Sequence, residues 1–142
     1  MNKPVAWYVN TVFVELYHAN SKKQQGGEVD PDFSGSVASA KAAGLSVDAY
    51  MFPCTGIQPN GVTCKSPSTQ ISDFEAAVKN AGLEPVHLWL DVETCSSDSP
   101  CTCWNQGGSE NEAIAKEFTS IMAKSTYKWG VYGNGSVPKN PS

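Results

Sequence analysis

Asp91 and Glu93 close the segment 85–93, PVHLWLDVE, and are the two residues of this chain best spaced to act together. Read as a strand, the segment alternates with a period of two. Val86, Leu88, Leu90 and Val92 take one face, and His87, Trp89, Asp91 and Glu93 take the other. The polar face thus ends in two carboxylates at the C-terminal end of the strand, where α/β proteins carry ligands and catalytic groups. A pair of carboxylates there is suited to acid/base work on a glycosidic bond. The alternative is a strand whose end emerges into solvent.

The elements that must position the pair follow a strand and helix alternation. Residues 11–17 (TVFVELY) read as a strand with Val12, Val14 and Leu16 on one face and Phe13, Glu15 and Tyr17 on the other. A polar loop follows. A helix is expected from about Asp30, with Pro31 in its first turn, a stripe of Phe33, Val37, Ala40 and Ala43, and Gly44 as its stop. Residues 45–52 (LSVDAYMF) make a second strand, alternating Leu45, Val47, Ala49 and Met51 with Ser46, Asp48, Tyr50 and Phe52. A helix at 69–81 should bury Ile71, Phe74, Val78 and Ala81 and end at Gly82. After the 85–93 strand comes a cysteine-rich loop. The next helix is expected to open with a capping box from Ser109 to Glu112 and to bury Ile114, Phe118, Ile121 and Met122. A last strand, KWGVYGN, covers 128–134, before a tail at 135–142 expected to fray.

Four strands separated by three helices imply parallel pairing. Only one face of each strand is apolar, whereas an open doubly wound sheet needs two. The mixed face gathers Glu15, Tyr17, Asp48, Tyr50, His87, Trp89, Asp91, Glu93, Tyr132 and Asn134. That pattern suits a barrel with a polar, functional rim. A closed eight-stranded barrel takes about 200 residues or more, and this chain has 142. The expected fold is therefore a single α/β domain forming a partial (β/α) TIM-like barrel.

Composition narrows the partners. Hydrophobic residues make up 40% and charged residues 17%, ordinary values for a globular domain. A net charge of −4 and a pI near 5.0 argue against nucleic acid or an anionic membrane as the partner. The first twenty residues do not read as a signal peptide, since Asn10, Thr11 and Glu15 interrupt the apolar positions. Five cysteines (Cys54, Cys64, Cys95, Cys101 and Cys103) all lie in loop-like segments, which fits disulfides in an oxidising compartment. The expected pairs are Cys54 with Cys64, and Cys95 with Cys101 or Cys103, leaving one thiol over. Nothing completes a zinc set around Cys101 and Cys103, so neither a metal nor another cofactor is expected. The odd thiol in oxidising-type loops suggests part of a longer precursor.

Four motifs in order, GGEVDPDF, SVASAKAAGLSVDAYMFPC, HLWLDVE and WGVYGN, resemble the family 25 glycoside hydrolases, the N-acetylmuramidase lysozymes. The similarity covers roughly residues 12–134 and is nearest to the nematode and protist branch. It implies peptidoglycan as substrate, hydrolysis at the β-1,4 bond between N-acetylmuramic acid and N-acetylglucosamine, and a monomeric enzyme of digestive, phagosomal, lysosomal or secreted settings. The family's D-x-E pair matches Asp91 and Glu93, with Glu93 as general acid and Asp91 orienting the site or assisting the substrate's acetamido group. The Y-x-F element matches Tyr50 and Phe52, with Met51 where many relatives carry His. Tyr132 matches a cleft-lining position, and Trp89 and Tyr50 are suited to stacking on sugar faces.

Two features of the family have no counterpart here: the first-strand Asp of a D-V-S-type motif, and a late-strand Asp. The resemblance therefore leaves three expectations: a working muramidase, a silent glycan-binding relative, or an incomplete gene product. Of the remaining candidates, Asp48 is a cleft residue or a structural acceptor, and Glu15 a cleft residue or an exposed charge. His18 and His87 read as packed or solvated, Trp104 as a loop anchor, and Asn134-Gly135-Ser136 as a chance glycosylation triplet.

Overall fold

The structure, a computed structural model, describes residues 11–18, 26–56, 63–83, 86–94, 104 and 106–133. Its elements are β1 (Thr11–His18), β2 (Glu28–Val29), α1 (Phe33–Ala42), β3 (Ser46–Met51), α2 (Pro67–Asn80), β4 (His87–Asp91), α3 (Gly108–Met122) and β5 (Lys128–Tyr132). They build one mixed sheet in the order β2-β1-β3-β4-β5. Strands β1, β3, β4 and β5 run parallel. The two-residue β2 adds an antiparallel edge against Tyr17 and His18. The expected alternation of four parallel strands and three helices is thus what forms. Among the described residues the sheet is open and closes no barrel.

Strand periodicity decides where the core sits. Val47, Ala49, Met51, Leu88 and Leu90 point to one face and form a single buried cluster with Phe33, Val37 and Ala40 of α1, Ile71, Phe74 and Val78 of α2, and Phe118 and Met122 of α3. All three helices therefore pack on that face. Ile114 and Ile121 are only partly buried at its border. The other face keeps Phe13 58% exposed and Tyr132 38% exposed. A parallel sheet normally has both faces covered; here, among the described residues, one is left to the mixed set of polar and aromatic side chains.

The helix ends account for the crossovers and correct two expectations. At the C-termini of α1 and α2, Gly44 and Gly82 adopt φ of 75° and 62°. Leu45 N–H donates to the Ala40 carbonyl and Gly44 N–H to Lys41, and Leu83 and Gly82 repeat the pattern on Val78 and Lys79. Both are Schellman stops, which need a left-handed residue after the cap. Lys41 Nζ also donates to the Ala81 and Gly82 carbonyls at 3.4 and 3.2 Å, tying α1 to the end of α2.

At the N-termini, α1 begins at Phe33 with Asp32 as its cap, so Pro31 precedes the helix. The cause is an Asx turn in which Asp32 N–H donates to Asp30 Oδ1 at 2.8 Å. The Ser109–Glu112 capping box does not form. Helix α3 is capped by Gly107 at φ 100° with no side-chain cap bond, which places both residues inside the helix. Glu112 instead pairs with Lys116 one turn on, at 2.7 Å, and the hydrogen bond and charge of Lys116 lower its pKa.

Gln70 is completely buried in α2, where its inward position holds a loop rather than filling the core. Its Oε1 accepts from Cys54 N–H at 2.9 Å. Its Nε2 donates to the Cys54 and Lys65 carbonyls at 3.0 and 2.8 Å. The same loop carries the Cys54–Cys64 disulfide. Gln70→Leu keeps the volume but removes a buried partner from three backbone groups. We expect a loss of about 2–4 kcal/mol in urea unfolding, since each stranded group costs about 1–3 kcal/mol and the loop relaxes in part. A loss under about 0.5 kcal/mol would show that the loop does not depend on it.

Candidate active site

Strands β3, β4 and β5 deliver their mixed-face residues to one end of the sheet. In register, Tyr50 lies beside Trp89 on β4 and Trp89 beside Gly130 on β5. One step further along, Asp91 lies beside Tyr132. The missing Cβ of Gly130 is what makes room, because an added methyl there would run into the Trp89 ring. Phe13 meets that ring edge-on, with centroids 6.0 Å apart, and Tyr50 meets Tyr132 the same way at 6.0 Å.

Asp91 is buried at 6% exposure, and its carboxylate accepts a hydrogen bond from the Tyr132 hydroxyl. Burial, then the negative charge of Asp91 and this hydrogen bond, with Tyr50 and Glu93 nearby, push the Tyr132 hydroxyl well above the ordinary tyrosine range. Asp91, Glu93, Tyr50 and Tyr132 therefore share one electrostatic neighbourhood at the C-terminal ends of β3, β4 and β5. Glu93 lies just past β4 and is partly buried, as is Phe52 past β3.

The raised value gives a pH effect of definite sign. An unfolded tyrosine ionises near pH 10, and the folded one ionises later. The stabilisation from neutral Tyr132 is thus fully present below about pH 10 and is lost as the pH rises through the folded-state midpoint. In an ultraviolet titration of the folded chain, which has five tyrosines, Tyr132→Phe is expected to remove a late-ionising step. A variant that instead lost an ordinary step near pH 10 would contradict the Asp91–Tyr132 pairing.

Asp48 sits level with His87, below the Tyr50–Trp89 row and two same-face positions before Asp91. Its Oδ1 accepts from His87 N–H at 3.0 Å and its Oδ2 from Trp89 Nε1 at 3.2 Å. The His87 ring, largely exposed, stands 4.0 Å away. Asp48 thus fixes the edge of the Trp89 indole, and its geometry is that of a structural acceptor next to the cleft face.

Sequence reasoning gave less weight to Trp104, which grips the carboxylate segment, and passed over Gln70, which holds the Cys54 loop. Trp104 is 2% exposed; its Nε1 donates to the Asp91 carbonyl at 3.1 Å and its N–H to the Glu93 carbonyl at 3.2 Å. Val92 N–H donates to the Tyr132 carbonyl at 2.8 Å, joining the end of β4 to β5. The Trp104 ring was legible as a loop anchor, but its grip on the carboxylate segment was not. Gln70, behind the Cys54 loop, had the signal of its spacing: positions 70, 74 and 78 form one helical row.

The Cys54–Cys64 disulfide forms as expected. The pairing of Cys95 with Cys101 or Cys103, and Asn134, lie outside the described residues, as do the side chains of Glu15, Tyr17 and His18. Among the described residues, no group of three or more His, Cys, Asp or Glu is arranged to hold a metal ion, and no helix is long and apolar enough to cross a membrane. A cleft of about 860 Å³ lies elsewhere, between α2, α3 and the starts of β4 and β5, bordered by Glu75, Lys79, His87 and Lys128. The carboxylate pair is at the opposite strand ends, and the chemistry follows the carboxylates rather than the volume.

Fold and site together define an α/β protein with its acidic and aromatic groups at the C-terminal ends of parallel strands. Residues 6–137 match the sequence profile of the family described as Lysozyme-like protein 1, and the chain belongs to that family. It is 31% identical over 124 residues to Lysozyme-like protein 5 of Caenorhabditis elegans, covering 87% of this chain and 49% of that protein. Probable GH family 25 lysozyme 4 of Dictyostelium discoideum is 32% identical over 118 residues, 78% of this chain and 46% of its own length. Probable GH family 25 lysozyme 3 of the same organism is 32% identical over 98 residues, 69% of this chain and 18% of its own. The chain thus spans about half the length, or less, of these relatives. No solved structure gives a significant match.

Proposed function

We propose that this chain carries the acid half of a muramidase site, on a sheet that is part of a (β/α) TIM-like barrel. The substrate is bacterial peptidoglycan, and the bond is the β-1,4 link between N-acetylmuramic acid and N-acetylglucosamine. The observation that carries this reading is the convergence of Asp91, Glu93, Tyr50 and Tyr132 from three separate strands. Glu93, the more accessible carboxyl, protonates the leaving oxygen as the C–O bond breaks. Asp91, buried and held by Tyr132, orients the substrate's acetamido group, whose oxygen bonds to the anomeric carbon before water releases it. Tyr50, Phe52, Trp89 and Tyr132 form the sugar-facing wall, and Asp48 holds the Trp89 ring in place.

The relatives' names support the lysozyme assignment. An acidic chain with a disulfide fits a secreted or phagosomal setting. The test is release of new reducing ends from purified peptidoglycan by this chain and by Glu93→Gln. Release by the first that is lost in the second supports the muramidase; no release by either removes it. A second reading, glycan binding without cleavage, is favoured by the exposure of Phe13 and Tyr132 on the open face. It predicts retained affinity for peptidoglycan fragments in that second case.

A further inference from the structure

We propose that Trp104 is the positioning residue of the carboxylate pair, a role that rests on the muramidase reading above. Two hydrogen bonds from this one residue end on the two carboxylate-bearing residues: Nε1–H on the Asp91 carbonyl at 3.1 Å and N–H on the Glu93 carbonyl at 3.2 Å. Asp91 is the last residue of β4 and Val92 N–H still reaches the Tyr132 carbonyl, but β4 ends there and Glu93 lies past it. Trp104 holds the segment 91–93 at both ends, from the core side.

The anchor is itself anchored. The indole packs against Phe118 of α3 with ring centroids 6.2 Å apart, and Phe118 is fully buried. The Trp104 carbonyl accepts from Asn111 Nδ2 at 2.5 Å. Asn111 Oδ1 in turn accepts from Gln106 N–H at 3.3 Å. A continuous path therefore runs from the first turns of α3 through Trp104 to the backbone of Asp91 and Glu93. Trp104 has no role toward the substrate in this scheme. It fixes where the proton donor stands, and small misplacements of such a group are costly in rate.

Trp104→Phe keeps an aromatic ring against Phe118 and the backbone bond to Glu93, and removes the Nε1–H bond together with part of the buried indole volume; Asn111→Ala loosens the anchor from the helix side without touching that volume. With peptidoglycan as substrate, Trp104→Phe is expected to lower kcat about tenfold with KM within about twofold, and Asn111→Ala to act in the same direction more weakly. A purely structural role would lower the amount of folded protein and leave kcat per folded molecule unchanged. Independently of turnover, the carboxylate 13C resonances of Asp91 and Glu93 at fixed neutral pH should move in both variants while that of Asp73, remote in α2, stays. If the wild type proves inactive, the muramidase reading fails and these resonances still decide the positioning role. Unmoved resonances in folded variants, or an unchanged kcat, would overturn it.

Discussion

Glu93→Gln is expected to lower peptidoglycan hydrolysis by about 10²- to 10⁴-fold, the usual contribution of a general acid. The amide preserves the shape of the side chain and removes only the proton that the leaving oxygen needs. Stability should change by less than about 0.5 kcal/mol, because Glu93 is only partly buried and its side chain lies past the end of β4. The pairing of a large kinetic effect with a small thermodynamic one is what distinguishes a proton donor from a packing residue. Asp91 makes the useful contrast. It is buried and bonded to Tyr132, so its substitution should disturb both folding and rate, and a rate loss there alone would be ambiguous. Activity retained in Glu93→Gln would move the acid to another group.

Phe74→Ala is expected to cost about 3–5 kcal/mol, the largest stability effect of any single substitution considered for this chain. Phe74 is fully buried at the centre of α2 and lies 5.2 Å from the Trp129 ring of β5, tilted against it. Trp129 in turn donates through Nε1 to Glu75 Oε1 at 3.1 Å, and the same oxygen accepts from Ser125 at 2.5 Å. Removing Phe74 therefore opens a cavity at the junction that fixes β5, the strand that brings Tyr132 to the site. Since a domain of this kind is stable by about 5–15 kcal/mol, such a loss would take a large share of the total. Chemical denaturation measures it directly, and a cost below about 1 kcal/mol would mean that the helix side does not hold β5 in place.

The fold was legible in the sequence wherever burial imposes a period. Val47, Ala49 and Met51, and Leu88 and Leu90, alternate strictly because one face of each strand lies under helices. Gly44 and Gly82 were legible as stops because a left-handed cap favours glycine. The start of α3 was not legible. The Ser109–Glu112 pattern is purely local, while the real start is set two residues earlier by the positive φ of Gly107 and by Asn111 bonding back to Trp104 and Gln106. β2 was missed because two residues carry no periodicity, and its pairing with β1 is a tertiary fact. In the candidate site, the D-x-E spacing announced both carboxylates. What surrounds them was hidden: the Tyr132 bond depends on the register of β4 and β5, and the Trp104 bonds join residues 11 and 13 positions apart in the chain.

The loop foot at Cys54 is fastened twice, once by the bond to Cys64 and once by the amide of Gln70, which takes both the N–H and the carbonyl of Cys54. Cutting the covalent tie leaves the second in place. In the chain-entropy picture a ten-residue span then forfeits roughly 2.5–3 kcal/mol, and does so in the unfolded chain, which gains freedom. The folded outline of the rim beside Tyr50 and Phe52 would persist. A thiol-rich medium would thus shorten the lifetime of the molecule without blunting it while it lasts.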